Sequence, residues 1–174
     1  AVHAANNSFG DWAEYPEMVG LGSRGAGDGD RLHFDNAGKL KRTPVGQGPG
    51  SGYGPQHEFV ITVRKRQHPI VRGLPERWLH AHDELTHALR GPARNLTILA
   101  TAFAASDKGG TGDHEPMMWV IPYGKGRVFS TMLGHSPFAM SCAGFVATLH
   151  RGAEWAATGQ VTLPIPAALP RSDR

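Results

Sequence analysis

Residues 114–135, HEPMMWVIPYGKGRVFSTMLGH, constrain the fold more than any other stretch of the chain. Two apolar runs flank Tyr123-Gly124-Lys125-Gly126, the composition of a tight turn that needs positive φ. The pattern predicts an antiparallel pair of strands, the second of which runs out into Gly134 and His135. HEFVITVRK (57–65) alternates Phe59, Ile61 and Val63 with Val60, Thr62 and Arg64, as a strand with one well-buried face would. NLTILATAFA (95–104) is apolar and β-branched on both faces, which predicts a central strand. AVH at the start reads as the end of another strand, so His3 and His135 both fall at strand ends.

The intervening segments are predicted to be less regular. PERWLHAHDELTHAL (75–89) opens with proline at a plausible first helical position and reads as a mixed, partly helical and solvated segment. SCAGFVATLHRGAEWAA (141–157) spaces Cys142, Phe145, Val146, Leu149, Ala153 and Ala156 as one apolar face of a helix. Residues 20–56 hold nearly half of the 23 glycines and show no apolar periodicity, which predicts an irregular excursion, either a substrate-covering lid or an insertion. The proline-rich end, 164–174, reads as a tail leaving a domain that spans 1–163. Strands, a helix and a hairpin together suggest an α/β sheet with antiparallel elements at one side, in which function gathers at the carboxyl ends of strands.

Composition narrows the activity. A length of 174 residues with 40% apolar and 19% charged side chains is that of one globular domain. A net charge of +3, with Arg64-Lys65-Arg66 as the only dense basic run, is too little for a phosphate-tracking groove, so nucleic acid is not the expected partner. No run reaches the roughly 18 apolar residues of a membrane span. The chain reads as soluble, in the cytoplasm or the periplasm. A single cysteine, Cys142, excludes an internal disulfide or a CxxC motif; on the apolar face of the last helix it reads as an inert core residue.

Histidines carry most of the chemical interest. His135 follows a strand and a glycine, and His3 ends the opening strand; either suits an acid, a base or a metal ligand. His80, His82 and Asp83 approach the HxHxDH pattern of binuclear metallohydrolases but lack its spacing, leaving Asp83 and Glu84 as the members worth testing. Glu115 precedes the first hairpin strand, where it would ligate a metal, hold a substrate hydroxyl or simply be solvated, and His57 has the same standing. Asp28, Asp30 and Asp35 miss the calcium-loop pattern.

Taken in order, VHAANNSF, HPIVRGLP, DEL, ILATA, HEPMMWVIPYGKGRVFSTMLGH and FVATLHRGAEWAATG resemble the trehalose-utilisation (ThuA-like) family nearly from end to end. The resemblance implies an α/β, flavodoxin-like three-layer sandwich of the class I glutamine amidotransferase-like kind. It also implies that the early strands lie upstream of this chain, whose exposed edge would then favour a homo-oligomer. In that superfamily a nucleophilic cysteine occupies the turn where this chain has His3, and the later histidine matches His135. Without the thiol, glutamine hydrolysis through a thioester has no nucleophile. The resemblance implies instead a role in catabolism of trehalose-type or other 3-keto glycosides. His3, His135, Glu115 and Asp83 are the catalytic candidates, Asn6, Asn7, His57 and Glu84 the substrate-binding candidates, and His3 and His135 the candidate ligands of a divalent metal such as zinc. A carbohydrate-binding accessory domain and a metal-dependent hydrolase of another substrate are the alternatives.

Overall fold

The structure is a computed structural model and describes residues 1–170. Among the described residues one short α-helix comes first, ten strands follow, and two further α-helices come after them. The strands are β1 (Asp30–Phe34), β2 (Leu40–Thr43), β3 (Gly52–Tyr53), β4 (His57–Val63), β5 (Arg77–Asp83), β6 (Thr86–His87), β7 (Arg90–Gly91), β8 (Thr97–Phe103), β9 (His114–Tyr123) and β10 (Gly126–Thr131). The helices are α1 (Tyr15–Val19), α2 (Pro137–Met140) and α3 (Ala143–Thr158).

The central sheet runs β2-β1-β9-β8-β4-β5, with β10 also paired to β9 and β7 to β1. β9 is ten residues long, and its length explains the branching: Phe34 of β1 pairs with His114 at its start, while β10 pairs with Met118 to Tyr123. β8 lies between β9 and β4 and buries Ile98 to Ala102, so the chain's doubly apolar segment is central, as its composition predicts. The 123–126 turn closes the expected antiparallel hairpin. Val2 forms a parallel bridge to Thr131, which places the opening residues against β10 as a further strand end. This is the mixed α/β fold expected, a large sheet with few helices, and it is consistent with the flavodoxin-like sandwich.

Three local expectations are corrected. Residues 77–83 are strand β5, not helix: pairing with β4 supplies the backbone partners that an isolated segment lacks, and Trp78 and His80 are fully buried rather than solvated. The Gly-rich segment contains the β1–β2 hairpin and β3, and Arg90, itself fully buried, ties its loops by donating to the carbonyls of Pro49 at 3.0 Å and Gln47 at 2.5 Å. Helix α3 buries a face offset from the apolar one. Phe145, Thr148, Arg151 and Gly152 point inward and Val146 is exposed, because Gly144 and Gly152 let the rings of Trp78 and Phe129 approach the helix backbone.

Arg151 explains how a cation belongs on that inner face. Its guanidinium donates to four carbonyls, those of Ile70 (2.7 Å), Pro69 (2.7 Å), Arg72 (3.0 Å) and Leu163 (2.6 Å). It thereby joins α3, the HPIVRG turn and the C-terminal stretch, and charged donors of this kind contribute about 1.5–3 kcal/mol each. Within the proline-rich end, Ile165 packs on the core and the Pro170 carbonyl accepts the Leu79 N–H at 3.0 Å; positions 171–174 lie outside the described residues. Among the described residues no helix is long and apolar enough to cross a membrane.

Candidate functional site

His3 occupies the sharp turn between the Val2 bridge and a 3-10 turn over His3–Asn7. Its φ of 43° lies in the left-handed region, costly for a residue with a Cβ, and such strain clusters where a side chain must be presented from a strand end. Its Nδ1 lies 2.7 Å from the Met132 carbonyl. A carbonyl only accepts, so Nδ1 carries the proton, and in the neutral ring Nε2 keeps its lone pair. That lone pair faces His135 Nδ1 at 3.1 Å, and the two rings meet edge to face with centroids 5.0 Å apart.

Glu84 closes the group. One carboxylate oxygen lies 3.7 Å from His3 Nε2 and the other 3.6 Å from His135 Nδ1. The Glu84 side chain is 16% exposed and His135 39%, so the centre is recessed but open on the His135 side. Each of the three residues offers one ligand atom, and these atoms lie within 4.8 Å of one another.

Asp83 holds this arrangement from behind. Between β4 and β5 the register shifts so that His57 opposes Asp83 while Phe59 opposes His80, which gives β5 one extra residue. The bulge brings Asp83 to the buried side that His80 already occupies. The Asp83 carboxylate accepts His80 Nε2 at 2.8 Å, Gly134 N at 2.8 Å, His135 N at 3.0 Å and its neighbour Glu84 N at 2.9 Å. Burial alone would raise its pKa, but the bonds from His80 and from the Gly134 and His135 amides outweigh burial and hold the carboxyl below its usual range. One buried anion therefore links the end of β5 to the turn that carries His135.

The other candidates fall elsewhere. Asn6 is buried and donates to the His3 carbonyl at 2.9 Å and to Met132 Sδ at 3.3 Å, which steadies the His3 turn, whereas Asn7 caps the backbone of Ser23. His57 turns its Nδ1 to the Pro55 carbonyl at 2.8 Å and packs its ring against Phe59. Glu115 is on β9, not in a solvated loop. It is fully buried, paired with Arg31 and bonded by Thr111 at 2.7 Å, in a separate cluster with Asp113. Cys142 is the N-cap residue of α3, one position outside the helix, and is buried against the core. The Met132 carbonyl that fixes the His3 tautomer leaves no local signal in the sequence, because it joins residues far apart in the chain.

The donor set fits a divalent cation. Zinc takes imidazole nitrogens and carboxylate oxygens at about 2.0–2.2 Å, so neighbouring ligand atoms stand roughly 3–3.5 Å apart, close to the spacing of these three groups. The Met132 carbonyl supplies the outer partner that a metal-binding imidazole normally has on its other nitrogen.

Comparison with known proteins places the chain in a family. A search of curated proteins finds no match. The crystal structure of a ThuA-like protein from Parabacteroides merdae superposes with a TM-score of 0.91 at 41% identity, covering 99% of this chain and 64% of that one. A ThuA-like protein from Bacteroides uniformis shares the fold, with a TM-score of 0.57 at 14% identity over 92% of this chain and 59% of that one. The chain thus spans less than two thirds of the length of either. The family model described as ThuA, trehalose utilisation, matches residues 1–156, and the chain belongs to that family.

Proposed function

We propose that the chain carries the reactive centre of a carbohydrate-processing enzyme acting on trehalose-type or other 3-keto glycosides, with His3, Glu84 and His135 as the centre. The observation that carries the reading is the convergence of those three side chains on one point, each fixed by a different part of the sheet. The family match to trehalose utilisation supports the substrate class.

His3 Nε2, His135 Nδ1 and a Glu84 oxygen would hold the cation. When bound, a divalent cation supplies Lewis acidity toward a carbonyl or hydroxyl oxygen. The protein's own contribution is orientation and proton handling. The Met132 carbonyl keeps the Nδ1 proton of His3 and so keeps Nε2 available. The Gly134 and His135 amides, tied to Asp83, fix where the second imidazole stands. The exposed side of His135 faces the solvent from which a sugar would enter, where the second oxygen of Glu84 is placed to take or return a proton. Asp83 and Asn6 act as positioning residues. The missing thiol at His3 argues against glutamine hydrolysis by the thioester route.

The test is mass-spectrometric product analysis of a 3-keto-disaccharide incubated with the chain and with His135→Ala. A product formed by the wild type and lost in the variant is expected. Saturable sugar binding with no product would instead support a carbohydrate-binding accessory role.

A further inference from the structure

The turn that carries His3 runs on into a feature that the reactive centre does not use. Residues 9–15 read FGDWAEY, with aromatic residues three positions apart. Two successive turns, closed by the Trp12 N–H on the Phe9 carbonyl and the Tyr15 N–H on the Trp12 carbonyl at 3.0 Å each, bring those side chains together. The Phe9 and Tyr15 rings meet near edge to face with centroids 5.0 Å apart, and Trp12 lies tilted against Tyr15 at 5.6 Å.

Tyr15 is the anchor of this group. It is buried, and its hydroxyl donates to the Ala5 carbonyl at 2.5 Å, inside the His3–Asn7 turn. The two outer rings are not buried: Phe9 is 58% exposed and Trp12 45%. Phe9 also has a φ of 55°, in the left-handed region where a residue with a Cβ is strained. Two large aromatic rings held in water on a strained turn do not stabilise the fold, and adjoining apolar surface beside a reactive centre marks a binding site.

The residues between the rings indicate the occupant. Asp11 and Glu14 alternate with the aromatics and are exposed. A pyranose ring has a face of C–H bonds, which packs on the electron-rich face of an aromatic ring, and a rim of hydroxyls, which donate to carboxylates. A lipid chain or an apolar protein face would leave both carboxylates without donors. The spacing suits a sugar as well. The five-residue turn from His3 to Asn7, rising about 2.0 Å per residue, leads from the centre to the aromatic group, a span that two linked pyranose rings cover.

We propose that Phe9 and Trp12 form an outer subsite that packs the second ring of a 3-keto-disaccharide while its oxidised ring occupies the His3–Glu84–His135 centre. The inference rests on the carbohydrate reading of that centre and adds a preference to it, for a disaccharide over a monosaccharide.

Isothermal calorimetry with 3-keto-trehalose and with 3-keto-glucose tests it, giving KM where the sugar is turned over and Kd where it is only bound. The wild type should favour the disaccharide, and Trp12→Ala should lower the disaccharide-to-monosaccharide affinity ratio about tenfold, the loss of one stacking face. Phe9→Ala, which removes the more exposed ring, should lower the same ratio, whereas Trp12→Phe, which restores an aromatic face, should keep it within about threefold of the wild type. A general loss of structure would weaken both sugars together and leave the ratio where it was. An unchanged ratio in both alanine variants, or no preference in the wild type, overturns the subsite and leaves the carbohydrate reading standing. No affinity of the folded wild type for either sugar contradicts that reading and the subsite with it.

Discussion

The Asp83 carboxylate accepts the His135 backbone N–H at 3.0 Å across a sequence separation of 52. The same carboxylate takes the Gly134 N–H and the His80 ring, so the residue preceding Glu84 fixes the position of the imidazole that Glu84 faces. Three consequences for stability and one for the site follow from this geometry and from the packing of α3.

Asp83→Ala removes an anion whose partners are all inside the protein. It leaves a buried histidine and the amides of Glu84, Gly134 and His135 without that acceptor, and the expected loss is about 3–5 kcal/mol, the range for breaking a buried charged pair. Urea unfolding should show a lower midpoint with little change in slope. A shift below about 1 kcal/mol would mean that water replaces the carboxylate easily.

The same group sets an acid limit. Because the folded-state pKa of Asp83 is depressed, its contribution is present above the unfolded value of about 3.9 and is lost as pH falls through the folded value. The stability gap between wild type and Asp83→Asn should therefore narrow as pH drops below about 4. Thermal melts at stepped pH check this, and a gap that stays constant down to pH 2 would contradict it.

Helix α3 sits where two glycines allow it to sit. A methyl added at Gly144 would run into the Trp78 indole, and one at Gly152 into the Phe129 ring. Both aromatics are buried, so neither ring can swing into solvent. Gly152→Ala is expected to cost about 1–3 kcal/mol by overpacking despite alanine's better helix propensity. Gly10→Ala, with nothing within 4 Å of the added atom, is the matched control and should be close to neutral in the same melt.

These contacts show which parts of the molecule were legible in the sequence. The 114–131 hairpin and strand β8 follow from apolar patterning and turn chemistry, both local; His135 follows from the hairpin, and His3 from the AVH segment, whose Val2 bridges to Thr131. β5 was not legible, because proline at 75 and the charged residues after it favour a helix start, and only pairing with β4 makes them a strand. The bulge that turns Asp83 inward depends on register with β4, which a single segment does not encode. Glu115 looked solvated because its partner Arg31 comes from the Gly-rich segment, 84 positions away.

The central claim is that His3, Glu84 and His135 form one ligand-holding centre, and zinc titration by calorimetry tests it most directly. The wild-type chain, freed of metal by chelation, should bind one zinc ion per molecule, with binding weakened at least about a hundredfold in His3→Ala and in His135→Ala. Glu115→Gln, in the separate Arg31 cluster, should bind as the wild type does. Absence of zinc binding by the folded wild type, or equal affinity in all four proteins, would contradict the account.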